Sequence, residues 1–295
     1  MSRIPLAARS AGPLVAPLFV LGLAVRALAA AEEARLVDVG PIVESAVVAP
    51  DGKIFVSVVG DYEKYGDGYV GVVDGDKVVP LATGLNDPHG LDYWNGELFA
   101  ADNRGQIWRV DMNGNVSLVA DATMFPRKIT NFNDIELDAR GNIYVSDSGD
   151  WEGRGGAIYR VTQDGKVTTV LTDEEAWQLV SPNGLLMDGE AAILVLDWTT
   201  GNLHRLDLKT KSFEKVNGKF GPGDGLARDP GGRLYVASYY ESTVYVLDRP
   251  DSEDRRPIKI EGVKSVADIG VSPDGKLLVA PDFDGGRVAI VPLSE

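Results

Sequence analysis

Six times the chain restates one phrase: a polar residue, a short apolar run, a glycine-containing turn, then a run of β-branched, aromatic and aliphatic residues. The copies open at Glu44, His89, Asn133, Asn183, Asp224 and Asp268, in steps of 45, 44, 50, 41 and 44 residues. A period of that size, made of short strands and turns, is the signature of propeller blades. Each phrase reads as a hairpin whose second arm is a strand, for example Ile54-Phe-Val-Ser, Ile143-Tyr-Val-Ser and Leu234-Tyr-Val-Ala. A third strand follows in runs such as Gly105-Gln-Ile-Trp-Arg-Val, and a fourth in runs such as Val167-Thr-Thr-Val. Helical periodicity is nearly absent, the best candidate being a turn or two over residues 173–179. The expectation is an all-β, six-bladed β-propeller of four-stranded antiparallel blades, one domain over residues 30–295, around a central channel.

Radial stacking turns the innermost strand of each blade toward the axis, so the six opening residues line the mouth of that channel. Ten positions separate Glu44, Asn133, Asn183 and Asp224 from the hydrophobic residue that opens the next strand, but nine separate His89 and Asp268 from theirs. The four matched positions therefore carry more weight. Any one Asp or Asn at a turn is usually a local cap, bonding nearby backbone. Convergence of six on one axis is a different matter, because facing carboxylates repel and raise one another's pKa. A divalent cation removes that cost. Oxygen donors from Glu44, Asn133, Asn183 and Asp224 suit a hard ion, Ca2+ ahead of Mg2+. An imidazole from His89 would also admit Zn2+ or Mn2+.

Composition narrows the function classes. The 295 residues include no cysteine and only two histidines, His89 and His204, which excludes disulfides, thiolate chemistry and a multi-histidine metal site. A net charge of −15 argues against nucleic acid or an anionic membrane as partner. Residues 1–29 have another character: Arg3 and Arg9, an apolar stretch over residues 11–25, then Ala27-Leu28-Ala29. That is the layout of a cleaved secretory signal peptide, and the apolar stretch is short for a membrane span of roughly 20 residues. The expected location is periplasmic or extracellular, with no membrane association once the signal is cleaved.

The repeat and its ring resemble the calcium-dependent six-bladed propeller hydrolases of the gluconolactonase/regucalcin family, and more distantly paraoxonase and diisopropyl fluorophosphatase. The likeness covers residues 39–292. Glu44, Asn133 in Asn133-Asp134-Ile135, Asn183 in Pro182-Asn183-Gly184-Leu185 and Asp224 in Asp224-Gly225-Leu226 are similar to that family's metal positions. Pro88-His89-Gly90-Leu91 is similar to the paraoxonase motif that supplies an active-site histidine. Gluconolactonase-like members carry an arginine two residues before the third-blade Asn, where this chain has Asn131, which argues against a sugar-acid lactone. The Asp that follows that Asn, here Asp134, resembles a paraoxonase second-metal position.

The resemblance implies metal-assisted hydrolysis of a lactone, ester or phosphoester, a small-molecule substrate, and site residues His89, Asn131 and Asn133 beside it. Asp224, Asp268 and His89 are the candidates for activating water, His89 because its ordinary pKa of about 6.5 lies near neutral pH. His204, between Leu203 and Arg205, reads as a surface residue. Loops over residues 61–71, with Tyr62, Tyr65 and Tyr69, and around Trp151 would either cover the channel or connect strands in solvent. Two rivals stand: a non-catalytic propeller that binds a ligand or protein partner, and a metal-free propeller like strictosidine synthase.

Overall fold

In the computed structural model, which describes residues 34–62, 64–150 and 152–293, regular structure is almost entirely β-strand. The exceptions among the described residues are two single 3-10 turns, Ala122–Met124 and Tyr239–Glu241. The segment 173–179 forms turns and no helix; the N–H groups of Glu175 and Ala176 both bond the Thr172 carbonyl. The segment 1–29 and Trp151 lie outside the described residues. None of the described helices is long and apolar enough to cross a membrane.

Four sheets have four strands each in simple up-and-down order, and a fifth has eight. In the eight-stranded sheet, one parallel pair, Asp38 beside Lys77, joins two antiparallel runs of four. One of these runs pairs Arg35–Asp38 against Arg287–Pro292, so the first and last described strands close the ring. The fold is all-β and propeller-like.

Packing follows from strand alternation. In Glu97–Asp102, Leu98 and Ala100 enter a core with Phe55, Val70 and Leu91, while Phe99 and Ala101 enter the next core with Phe132, Ile143 and Tyr159. Leu234–Ser238 does the same, sending Leu234 and Val236 one way, Tyr235 and Ala237 the other. A strand buried on both faces must read as a continuous apolar run, as these do. Phe125 meets Phe132 and Tyr159 edge-on at 4.9 and 5.1 Å. Truncating the fully buried Phe132 to Ala would cost about 3–5 kcal/mol.

The innermost strands are Val43–Val48, Pro88–Trp94, Phe132–Leu137, Pro182–Met187, Gly223–Arg228 and Gly270–Val271. Each touches the next, and the last touches the first. Their backbones approach so closely that a Cβ on Gly184 would collide with the Asp224 carbonyl oxygen, and one on Gly225 with the Asp268 backbone. Five carry the same irregularity: pairing jumps from Val43 to Ala46, Pro88 to Leu91, Phe132 to Ile135, Pro182 to Leu185 and Gly223 to Leu226. Two residues fall in each gap, and such bulges re-aim side chains. The first residues of the gaps are Glu44, His89, Asn133, Asn183 and Asp224; the second are Ser45, Gly90, Asp134, Gly184 and Gly225. On the remaining strand Val266 bridges Asp282 and Gly270 pairs with Val279. That register gives the first position to Ala267 and puts Asp268 in the second. The repeat phrase aligned Asp268 one residue out.

Candidate active site

The five bulge residues meet in one cavity of about 400 Å3, whose walls include Glu44, His89, Asn133, Asn183 and Asp224, together with Asn131. Asp268 does not line it. Hydroxyls help to hold the ring: Ser57 Oγ accepts from Ser45 N–H and donates to the His89 carbonyl, and Ser146 Oγ accepts from Asp134 N–H and donates to the Asn183 carbonyl. Above the ring, the residue just after each second strand points its N–H back across the blade. Val59, Asn103, Ser148, Trp198, Tyr239 and Phe283 donate to the carbonyls of Ile42, Asp87, Asn131, Ser181, Pro222 and Ser265. One bond, repeated, thus sets the cavity rim.

Glu44 Oε2, Asn133 Oδ1, Asn183 Oδ1 and Asp224 Oδ1 are buried and accept no hydrogen bond. Their side chains belong to residues at most 4% exposed. An unpaired buried acceptor is costly, and four on one cavity need a common partner. Among the described residues no group of three or more His, Cys, Asp or Glu side chains is placed to hold a metal. Here half of the donors are amides, and two carboxylates with two amide oxygens is a donor set that fits a hard divalent cation.

The electrostatics agree with that shortage. Burial pushes the Glu44 carboxyl well above its usual range, with the charges of Asp224, Asp268 and Asp134 adding to the effect. Burial and Asp134 do the same to Asp224. Burial lowers His89 to about 4, so its imidazole is neutral at pH 7 and is not poised at the ordinary histidine value. Its Nε2 lies 2.9 Å from the Tyr62 hydroxyl. Its Nδ1 is 3.9 Å from Glu44 Oε1, too far for a hydrogen bond.

Tyr62 is held over the cavity by Arg104, which donates to the Tyr62 carbonyl at 2.5 Å and to the Tyr65 hydroxyl at 3.2 Å. Arg104 is itself paired at 2.5 Å with buried Asp87. Tyr69 belongs to the strand Gly68–Asp74 and donates to the Val39 carbonyl, away from this loop. Asn131 Oδ1 accepts from Asn103 Nδ2, and its N–H donates to Asp147 Oδ1. His204 is no surface residue: it is 2% exposed and stacked on Phe213 at 4.5 Å.

A second, smaller cavity of about 150 Å3 opens among the innermost strands, lined by Asp92, Asp134, Glu136 and Asp268. These carboxylates have partners. Asp134 accepts from the N–H groups of Leu185 and Ile135, Asp92 from Leu137 and Tyr93, Glu136 from Met187, and Asp268 from the Ser45 hydroxyl.

Sequence reasoning missed the rim aromatics Trp198, Tyr239, Tyr240 and Phe283, which line the first cavity. A signal was there: Asp102, Asp147, Asp197, Ser238 and Asp282 end the second strands, and the rim residue follows each.

Residues 89–267, over half of the chain, match the family described as SMP-30/Gluconolactonase/LRE-like region. Solved structures similar in fold include a gluconolactonase from Xanthomonas campestris, at TM-score 0.70 and 17% identity over 88% of this chain and 90% of that one. Regucalcin from Agrobacterium tumefaciens, a calcium-binding protein, matches at TM-score 0.65 and 17% identity over 86% and 95%. A catalytically inactive virginiamycin B lyase from Staphylococcus aureus matches at 0.61 and 15% over 86% and 82%. No curated protein matches the chain in sequence.

Proposed function

The chain belongs to the SMP-30/gluconolactonase/LRE-like family, and from that premise we propose that it is a calcium-dependent hydrolase of a lactone or ester, acting in the cavity around Glu44. The observation that carries the reading is the set of four buried, unpartnered oxygens on Glu44, Asn133, Asn183 and Asp224. These residues would hold the ion. What it supplies when bound is positive charge beside the oxygen on which negative charge develops during attack. The rest is the work of side chains. The Asp224 carboxylate, on the cavity wall, takes a proton from the attacking water as the water oxygen bonds to the acyl carbon. That proton then goes to the departing alkoxide oxygen, so one water is consumed and a hydroxy acid, or an acid and an alcohol, is released. His89, neutral and bonded to Tyr62, orients the substrate oxygen together with Asn131. Among the described residues Glu44, Asp150 and Asp224 line the cavity and neither Lys nor Arg does, so no side chain there would pair with the charge of an anionic phosphoester.

We read the eight-stranded sheet as two blades stitched at Asp38 and Lys77, making six with the four others. The ring of six touching innermost strands supports that count. Export directed by residues 1–29 is part of the same proposal, on the strength of their basic, apolar and small-residue layout.

The test is metal analysis of the purified protein, paired with a screen of phenyl acetate and unsubstituted lactones before and after chelation. The expected result is bound calcium and hydrolysis lost on chelation, then restored by Ca2+. Undiminished hydrolysis in chelator would point to metal-free chemistry, and bound metal with no hydrolysis to a binding propeller.

A further inference from the structure

The rim of the cavity is divided by chemistry. Going round the ring in strand order, the second and third blades contribute Asn103, Thr130, Asn131 and Asp150, and the last three contribute Trp198, Tyr239, Tyr240 and Phe283. The aromatic arc is continuous. Tyr239 sits at its centre, edge-on to Trp198 at 5.0 Å, to Tyr240 at 5.0 Å and to Phe283 at 5.7 Å. Trp198 also meets Tyr240 at 6.2 Å.

Resting on the hydrolase reading above, we infer that the substrate is an uncharged lactone or ester whose body carries an apolar ring, seated against Trp198, Tyr239, Tyr240 and Phe283. Three observations converge on this class. The wall offers few polar atoms: Phe283 has none in its side chain, and the Tyr239 hydroxyl already donates to Asp284 at 3.3 Å. A polyhydroxylated body placed there would exchange water for carbon and leave hydroxyls unpaired. An aromatic or alicyclic body instead buries apolar area and gains edge contacts with the arc. Second, Tyr240 is 68% exposed although it lies in a cluster of four aromatics. An exposed aromatic continuous with a cavity wall marks a surface made for an apolar ligand. Third, among the described residues the lining has no cationic side chain, and beyond the Glu44 and Asp224 carboxylates that would hold the ion it carries Asp150, so a negatively charged body finds no side chain to pair with there. The polar arc then receives the reacting carbonyl end. The substrate is amphipathic in the same sense as its cavity.

The experiment uses lactams, which bind as lactones do but are not hydrolysed. The calcium-loaded full chain is titrated by calorimetry with a δ-lactam bearing a phenyl group and with the δ-lactam of gluconic acid. The phenyl lactam is expected to bind at least about tenfold more tightly, the order of effect that burying one ring gives. Tyr240→Ala is expected to erase most of that preference while leaving the gluconic lactam unchanged. This side chain is largely exposed, so the fold tolerates its loss, and an unchanged melting curve is the control. Trp198→Ala should act in the same direction. Equal or tighter binding of the gluconic lactam overturns the inference, as does failure to bind the phenyl lactam, or a Tyr240→Ala variant that keeps the full preference. Because lactam binding needs no turnover, absence of hydrolysis would defeat the proposed activity alone and leave this result standing.

Discussion

The two cavities are built on the same innermost strands, the first from the opening residues of their bulges and the second mainly from residues farther along, yet they treat oxygen in opposite ways. Asn133 and Asp134 are neighbours in sequence. The first leaves Oδ1 buried without a donor, and the second has both carboxylate oxygens occupied by the N–H groups of Ile135 and Leu185. Glu44, Asn183 and Asp224 follow Asn133, whereas Asp92, Glu136 and Asp268 follow Asp134. A carboxylate that accepts backbone donors from its own strand and from the next blade is a structural tie. Four buried oxygens left without donors on one cavity are the observation behind the proposed ion site, because folding alone gives no return on their desolvation. The bare oxygen of Asp87, by contrast, belongs to a carboxylate paired with Arg104. Acidity is therefore a poor guide to the site here, and satisfaction of each oxygen is a better one. Burial raises carboxyls in both cavities, so the pKa shifts do not separate the two groups.

The sharpest way to break this contrast is Asp224→Ala. It removes a charged donor from the unsatisfied set and the base from the proposed reaction. We expect loss of bound calcium, measured by metal analysis, together with at least a roughly 100-fold fall in catalytic efficiency, the order that loss of a general base produces. Melting in chelator should change little or rise, since a buried charge has gone. Full metal content in this variant would remove Asp224 from the ligand set.

The same contrast explains what could be read from residues alone. Glu44, Asn133, Asn183 and Asp224 were legible because each opens a bulge, and the bulge keeps a constant distance to the next strand. His89 belongs with them although its spacing is shorter, since the tight turn at Asn95 and Gly96 takes up the difference; Asn95 has a φ of 51°. Asp268 has that same short spacing for another reason, being the second residue of its bulge. Spacing alone does not tell the two cases apart, because only strand pairing shows which residue lies in the gap. The aromatic arc was illegible in a different way. Asn103, Ser148, Trp198, Tyr239 and Phe283 share a backbone bond and no residue type, so no repeated letter marks the rim. What does repeat is the residue before them, and Asp102, Asp147, Asp197 and Asp282 each cap N–H groups that precede the innermost strand.

A smaller effect is expected from Asp134→Ala. It would leave the N–H groups of Ile135 and Leu185 without their acceptor, at about 1–3 kcal/mol for each group left buried and unpaired. Relief of the repulsion from Asp268 offsets part of that. The outcome to measure is a lower melting temperature with calcium content unchanged. Loss of calcium in this variant, with the fold intact by circular dichroism, would mean that the second cavity also contributes to holding the ion.

The smallest effect is the most specific, and it tests whether partners make a buried carboxylate cheap. Burial pushes Asp92 up to about 6 against the pull of the Leu137 and Tyr93 N–H groups. A raised carboxyl favours folding while it is protonated, so its contribution is fully present below the unfolded value near 3.9 and is lost as pH rises through about 6. Asn at this position keeps one acceptor and cannot ionise. Chelator-treated native protein should therefore lose melting temperature relative to Asp92→Asn between about pH 4 and 6, with the gap staying level above about pH 7. A gap that stays constant over that range would mean that the two N–H bonds cancel the burial of Asp92. The satisfied cavity would then store no charge strain, and the two ends of the channel would differ in electrostatic cost as well as in hydrogen bonding.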